Sequence, residues 1–422
     1  MNLHIKYNFS PSTSHFALSI TGSKSETNRL LLLKALYPNI TLENTSNSDD
    51  SEVMIKALLK SYFLNPQSSI VDVHHAGTAM RFLTAFFAIQ EGKQVVLTGS
   101  KRMKERPIKI LVEALKQLGA EISYQENEGF PPIRIIGKKL IQTKVSLPAN
   151  VSSQYISALL LIAPKLENGL ELTLQGEITS VPYIKMTLAL LNEIGVETSF
   201  IENKITVNPK QIIHNSKLII ESDWSSASYW YSIVALSEIG TQFTLSSYKK
   251  DSLQGDFVLS EIYKDFGIET LFNKENSITI TKSKKVTQKT LIYNLQSSPD
   301  IAQTIAVTCF GLGIGCHLTG LHTLKIKETD RLEALKTELS KLGANISVTN
   351  DALTIEQSNN INSNIEIATY QDHRMAMAFA PLALKVPIII NDAKVVSKSY
   401  PTFWEDLQSI GLDIIESNNP KI

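Results

Sequence analysis

An internal repeat constrains this chain more than any other feature of its sequence. Five segments read as a short amphipathic helix, one glycine and a few alternating residues: Leu111 to Tyr124, Leu188 to Phe200, Leu259 to Phe272, Leu332 to Val348 and Phe403 to Ile415. Leu332, Leu335, Leu339 and Leu342 recur at the helical period. Gly119, Gly195, Gly267, Gly343 and Gly411 each close such a helix, where a left-handed cap costs glycine nothing sterically. Val53 to Tyr62 reads as a sixth helix of this series, without the glycine. A second helix series opens at polar or small residues: Gly22-Ser-Lys-Ser25, His75-Ala-Gly-Thr78, Val151-Ser-Ser-Gln154, Asp223-Trp-Ser-Ser226, Ser298-Pro-Asp300 and Gln371-Asp-His-Arg374. Counted from Lys24, Gly77, Ser152, Ser225, Asp300 and His373, these openings are 53, 75, 73, 75 and 73 residues apart. The spacing implies six copies of a βαβαββ-like unit of roughly 70 residues.

Three copies make a domain of ordinary size, so the chain reads as two α/β domains. Residues 21–220 form one; residues 1–20 with 221–422 form the other, completed by a lone strand before Ser19, with hinge crossings near 20 and 220. The alternative is a tandem array without a shared site. Composition agrees with two or three cores: 422 residues, 43% hydrophobic and 19% charged. Lys+Arg and Asp+Glu both total 41, so no global field draws the chain to nucleic acid or anionic lipid, and anion recognition must be local. Cys309 and Cys316 are too few for a disulfide framework and lack the spacing of a zinc site, which suits a reducing cytoplasm. No run approaches the length of a membrane span or a secretion signal.

Polar residues at helix starts are ordinarily caps. Cations there oppose the helix dipole and so point to an anion. In Lys24-Ser25-Glu-Thr-Asn28-Arg29, Ser25 reads as a cap with Arg29 one turn along; Gly77 permits close backbone approach with Arg81 one turn on. Lys101 to Arg106 concentrates cations ahead of a helix that Pro107 is expected to start, a solvated charge run being the alternative. Lys327 and Arg331 read as i and i+4 on one helix face with Glu328 turned away, where surface salt bridging is the alternative. Arg374 follows His373, the one histidine in a functional reading, and Lys398 precedes Pro401. Gly22-Ser-Lys24-Ser25 lacks the upstream glycine of a Walker loop, and Gly311, Gly313 and Gly315 lack the last glycine of G-x-G-x-x-G, so neither ATP nor NAD is indicated. No cofactor and no metal are expected.

These stretches, with Ala76-Gly-Thr-Ala-Met-Arg81, Lys327-Glu-Thr-Asp-Arg331 and Asp372-His-Arg-Met-Ala-Met377 in order, resemble the EPSP synthase (3-phosphoshikimate 1-carboxyvinyltransferase) family of enolpyruvyl transferases over nearly the whole chain. The resemblance implies a two-domain inside-out α/β barrel of three βαβαββ repeats per domain, with the active site in the interdomain cleft. It implies transfer of the enolpyruvyl group of phosphoenolpyruvate to the 5-hydroxyl of shikimate 3-phosphate by a monomer, without nucleic acid or membrane partners. By similarity, Lys24, Ser25, Arg29, Ser152, Ser153, Gln154, Ser180, Tyr183, Asp300 and Lys327 would bind shikimate 3-phosphate. Lys24, Gly77, Arg106, Gln154, Arg331, Arg374 and Lys398 would hold phosphoenolpyruvate, with Lys24, Asp300 and Glu328 catalytic. The chain departs from the family pattern at His75, Phe82, Thr323 and Lys325. Two rival readings remain open here: the sister enzyme acting on UDP-N-acetylglucosamine, and a catalytically silent anion-binding relative.

Overall fold

The computed structural model describes residues 1–7, 15–62, 69–149, 152–176, 178, 181–214 and 216–417. They form two compact α/β units, one of Gly22–Ile220 and one of Met1–Thr21 with Glu221–Ile422. One strand plan recurs in the five four-stranded sheets among the described residues. The first strand runs parallel to the second, and the third runs antiparallel to both the second and the fourth. In Gly22–Ile220, Ser69–Asp72, Gln94–Thr98, Ile133–Ile136 and Glu121–Tyr124 lie in that order. Lys144–Pro148, Leu170–Gln175, Lys204–Val207 and Thr198–Ile201 repeat it. A helix lies between the parallel strands because a parallel pair needs a crossover, whereas an antiparallel pair needs only a turn.

The other unit builds one such sheet from a single run: Thr290–Asn294, Gly315–Thr319, Leu353–Ile355 and Ile346–Val348. Its other two sheets borrow from the start of the chain. His15–Leu18 is the first strand beside Gln242–Leu245, with Phe16 opposite Phe243. Asn2–Tyr7 is a third strand, flanked by Ile388–Ile390 and Leu412–Ser417. The expectation of one lone N-terminal strand is thus corrected to two strands in different sheets. Their partners lie more than 200 residues away, as the 229-residue separation of the His15–Thr244 hydrogen bond shows, beyond what local alternation can indicate.

The two helix series differ in burial. Lys109–Gln117 and Arg331–Lys341 bury one face, whereas Gly77–Ala88, Ser153–Ile162, Trp224–Leu236, Ala302–Gly311 and His373–Phe379 are buried nearly all round. A helix that is apolar on every side belongs at a centre. In each unit the helices of the second series pack on one another there, Lys24–Leu36 joining Gly77–Ala88 and Ser153–Ile162. The expected glycine stops take φ of +101°, +85°, +77°, +102° and +97° at Gly119, Gly195, Gly267, Gly343 and Gly411. The sixth outer helix starts earlier than its apolar period suggests, at Asp49. No helix among the described residues is long and apolar enough to cross a membrane.

Candidate active site

Packing three helices in parallel around a centre gathers their first turns, and with them their polar residues. In the unit of Met1–Thr21 and Glu221–Ile422, Arg331 is the hub. Its Nη1 donates to Asp300 Oδ1 at 2.9 Å, Nη2 to Glu328 Oε2 at 2.8 Å and Nε to Asp372 Oδ2 at 2.6 Å. Lys327 Nζ lies 3.4 Å from Asp300 Oδ1, and Arg374 Nη2 lies 3.2 Å from Asp300 Oδ2. Arg374 Nη2 also donates to Ser225 Oγ at 3.3 Å, and the Ser225 hydroxyl donates to Asp256. The openings of three central helices therefore meet through Ser225, Asp300 and Arg374.

Burial disfavours the charge on Asp300, yet Arg374, Lys327 and Arg331 together hold its carboxyl well below the usual carboxylate range. Burial likewise works against Arg331 and Arg374, and their carboxylate neighbours raise both, so both stay charged. Glu328, bound by Arg331, keeps 30% of its side chain exposed. Lys398 Nζ donates to the Gln371 carbonyl at 2.6 Å, beside the Asp372–Arg374 helix start. His373 is buried, with Nδ1 3.9 Å from Asp372 Oδ1.

Gly22–Ile220 carries a second cluster. A Cβ on Gly77 would sit 2.7 Å from both terminal nitrogens of Arg106, so a side chain there would displace that guanidinium from the helix start. The backbone beside Arg106 is anchored: the Pro107 carbonyl accepts from Arg81 Nη2 at 3.1 Å and from the Tyr155 hydroxyl at 2.6 Å. Gln154 Nε2 donates to Thr78 Oγ1 at 3.0 Å, joining two helix openings. Ser152 caps the helix that Ser153 begins. Lys24 Nζ lies 3.3 Å from Asp50 Oδ2, and His75 Nε2 lies 4.0 Å from Asp50 Oδ1.

Arg29 ties three helices together. Nε donates to Thr187 Oγ1 at 2.8 Å, Nη1 to the Ser25 carbonyl at 2.7 Å, and Nη2 to Ser157 Oγ at 3.1 Å and the Tyr183 carbonyl at 3.3 Å. These four bonds use most of a guanidinium's donors. Phe82 packs its ring 5.5 Å from the same group, and burial lowers the Arg29 pKa to about 10. Arg29 thus has a structural task whatever it binds. Ser180 lies outside the described residues, as does Val151.

Three local expectations are corrected. Lys327 and Glu328 are not on a helix: Asp330 caps Arg331–Lys341 by accepting from Leu332 N and Glu333 N, so the helix begins at Arg331 and the two residues reach the cluster from the bend before it. Ser23, not Ser25, caps Lys24–Leu36, accepting from Glu26 N. Pro107 precedes the Ile108 cap instead of opening the helix, and Lys101–Lys104 is a short helix of its own. Sequence reasoning also missed Asp50, Asp256 and Asp372 as members of the clusters. Asp372 was legible as a cap, which it is, but its bond to Arg331 spans 41 residues.

Two α/β units of βαβαββ modules are an architecture shared with solved enolpyruvyl transferases. Among solved structures, EPSP synthase from Acinetobacter baumannii shares the fold with a TM-score of 0.80 at 21% identity, covering 99% of this chain and 100% of that one. The enolpyruvyl transferase NikO from Streptomyces tendae does so with a TM-score of 0.74 at 12% identity, covering 99% of each. The sequence pattern described as EPSP synthase (3-phosphoshikimate 1-carboxyvinyltransferase) matches residues 41–407. The 3-phosphoshikimate 1-carboxyvinyltransferase of Bacteroides fragilis (strain YCH46) is 44% identical over 408 residues, 96% of this chain and 97% of that protein. Its counterpart in Haemophilus influenzae (strain Rd) is 36% identical over 426 residues, 94% of this chain and 96% of that protein. The chain belongs to the EPSP synthase family.

Proposed function

We propose that this chain transfers the enolpyruvyl group of phosphoenolpyruvate to the 5-hydroxyl of shikimate 3-phosphate, releasing inorganic phosphate, with the residues below in the stated roles. Both substrates are phosphorylated carboxylates, and the cations at the helix openings match that charge. Lys24, Ser25, Arg29, Ser152, Ser153, Gln154, Ser180, Tyr183, Asp300 and Lys327 serve shikimate 3-phosphate. Lys24, Gly77, Arg106, Gln154, Arg331, Arg374 and Lys398 serve phosphoenolpyruvate.

The reaction protonates the methylene carbon of phosphoenolpyruvate while the 5-oxygen bonds to its C2 and loses a proton. The tetrahedral adduct then breaks its C–O bond to phosphate and gives up a methyl proton. Glu328 is the group that protonates the methylene, with Lys24 assisting proton transfer. Asp300, held ionised by three cations, is a weak base that still presents carboxylate oxygens as acceptors, suited to orienting the 5-hydroxyl. Arg331 and Arg374, charged at any physiological pH, stabilise the negative charge that builds on the transferring group. The observation that carries the reading is Arg331 bonded at once to Asp300 and Glu328, which fixes the acceptor and the acid on one cation. The protein acts as a monomer in the cytoplasm, where its two buried free thiols fit a reducing environment.

The test is phosphate release from phosphoenolpyruvate with either shikimate 3-phosphate or UDP-N-acetylglucosamine as acceptor. Release with the first alone is expected. Release only with the sugar nucleotide overturns the acceptor, and release with neither overturns the activity.

A further inference from the structure

The helix Arg331–Lys341 grips one short segment at two points. At its first residue, Arg331 donates to Asp372. Two turns on, the fully buried Glu338 accepts from Ala368 N at 3.2 Å and from the Tyr370 hydroxyl at 2.6 Å. Lys341 Nζ, 2.7 Å and 2.9 Å from its oxygens, neutralises it. Between the two grips, Tyr370 and Gln371 take φ of +54° and +57°. That left-handed conformation is disfavoured for a residue with a Cβ, and here the pair forms the centre of a turn that Asp372 N closes by donating to the Thr369 carbonyl at 2.8 Å. The consequence is directional. The Gln371 carbonyl accepts from Lys398 Nζ at 2.6 Å, and the next residue, Asp372, caps the helix that carries Arg374 by accepting from Arg374 N at 2.9 Å.

We propose that Glu338 and Tyr370 are positioning residues: they pin the strained Tyr370–Gln371 pair so that the Gln371 carbonyl fixes the Lys398 ammonium for phosphoenolpyruvate. This rests on the assignment of Lys398 to phosphoenolpyruvate made above. Without the pins, only the turn's own bond from Asp372 N to the Thr369 carbonyl opposes relaxation to negative φ, which turns the Gln371 carbonyl away from Lys398. Burial, with Glu338 adding to it, pushes the Tyr370 hydroxyl up to about 12, so it remains a donor through the neutral range.

The experiment compares Tyr370→Phe and Glu338→Gln with wild type in the full chain, by steady-state phosphate release and by amide hydrogen exchange. Tyr370→Phe is expected to raise the KM for phosphoenolpyruvate about 5- to 10-fold and leave the KM for shikimate 3-phosphate within about twofold. In a Lys398→Ala background the same change should have little further effect, because the pair acts through one lysine. Exchange at Gln371 and Asp372 should quicken in Tyr370→Phe. Equal rises in both KM values, full additivity with Lys398→Ala, or unchanged exchange would each overturn the proposal. Should Glu338→Gln fail to fold, Tyr370→Phe still decides, since it leaves Glu338 paired with Lys341. Wild-type turnover judges the proposed reaction separately: if wild type is inactive while exchange quickens in Tyr370→Phe, the reaction falls and the pinning stands.

Discussion

Asp256, buried, and Asp300, largely buried, are carboxylates close to Arg374, yet their surroundings push them in opposite directions. Three cations surround Asp300, whereas Asp256 accepts from the Ser225 hydroxyl at Oδ2 and leaves a buried Oδ1 without a hydrogen-bond donor. Burial raises the Asp256 pKa to about 6, and the negative charge of Asp300 adds to the rise. A folded-state pKa above the unfolded value means that the native protein holds the extra proton. The stabilisation is therefore full below the unfolded carboxylate pKa and is lost as pH rises through about 6. Asp256→Asn keeps an acceptor for Ser225 and removes the titration. Its stability relative to wild type should improve by about 1 to 2 kcal/mol between pH 5 and pH 8. Thermal unfolding of both proteins across that range measures it, and a stability difference that does not move with pH refutes the assignment of that titration to Asp256.

Arg331 is useful only because a helix starts where it does. Asp330 Oδ1 receives Leu332 N and Glu333 N, both at 3.2 Å, and so stops the helix from extending back over Lys327 and Glu328. Asp330→Ala should cost about 1 kcal/mol of stability, a small fall in Tm, but turnover should fall at least about tenfold as the first turn frays and Arg331 loses its register with Asp300. Asp330→Ser, which restores a cap, should recover most of the rate. Equal turnover in Asp330→Ala and wild type would separate the cap from the site. What the sequence discloses follows the same division. Glycine stops and helix openings were legible because local chemistry decides them. The helical placement of Lys327 failed because i, i+4 spacing outweighed the cap signal of Asp330 three residues later. Asp50 and Asp256 went unread because a carboxylate's partner is chosen by tertiary neighbours, 31 residues away in the case of Ser225.

The two units are built with unequal independence. Gly22–Ile220 is one continuous stretch whose ends lie side by side: Ser216–Ile219 pairs in parallel with Ile40–Glu43, and Gly22 is so close to Asn44 and Ile220 that a Cβ would stand 1.8 Å from the Asn44 carbonyl oxygen. It contains every partner its sheets use. Glu221–Ile422 lacks two strands unless Met1–Thr21 is present, and Leu3 and Ile5 of Asn2–Tyr7 are fully buried in its core. Losing two such side chains forfeits about 1.5 to 3 kcal/mol each, a large share of the roughly 5 to 15 kcal/mol that keeps a domain folded. Expressed alone, Gly22–Ile220 should therefore unfold in one cooperative transition, while Glu221–Ile422 should not. The register supplies the remedy, because Asn2 lies opposite Ser417 and Tyr7 opposite Leu412 in an antiparallel pair. A permuted chain that runs from Glu221 to the C-terminus, through a short glycine-rich linker, into Met1–Thr21 closes that pair as a hairpin, the connection used in the other four four-stranded sheets. Its calorimetric transition should be cooperative where that of Glu221–Ile422 is not; a permuted chain that stays uncooperative would mean that this unit requires Gly22–Ile220 to fold, not merely its two borrowed strands.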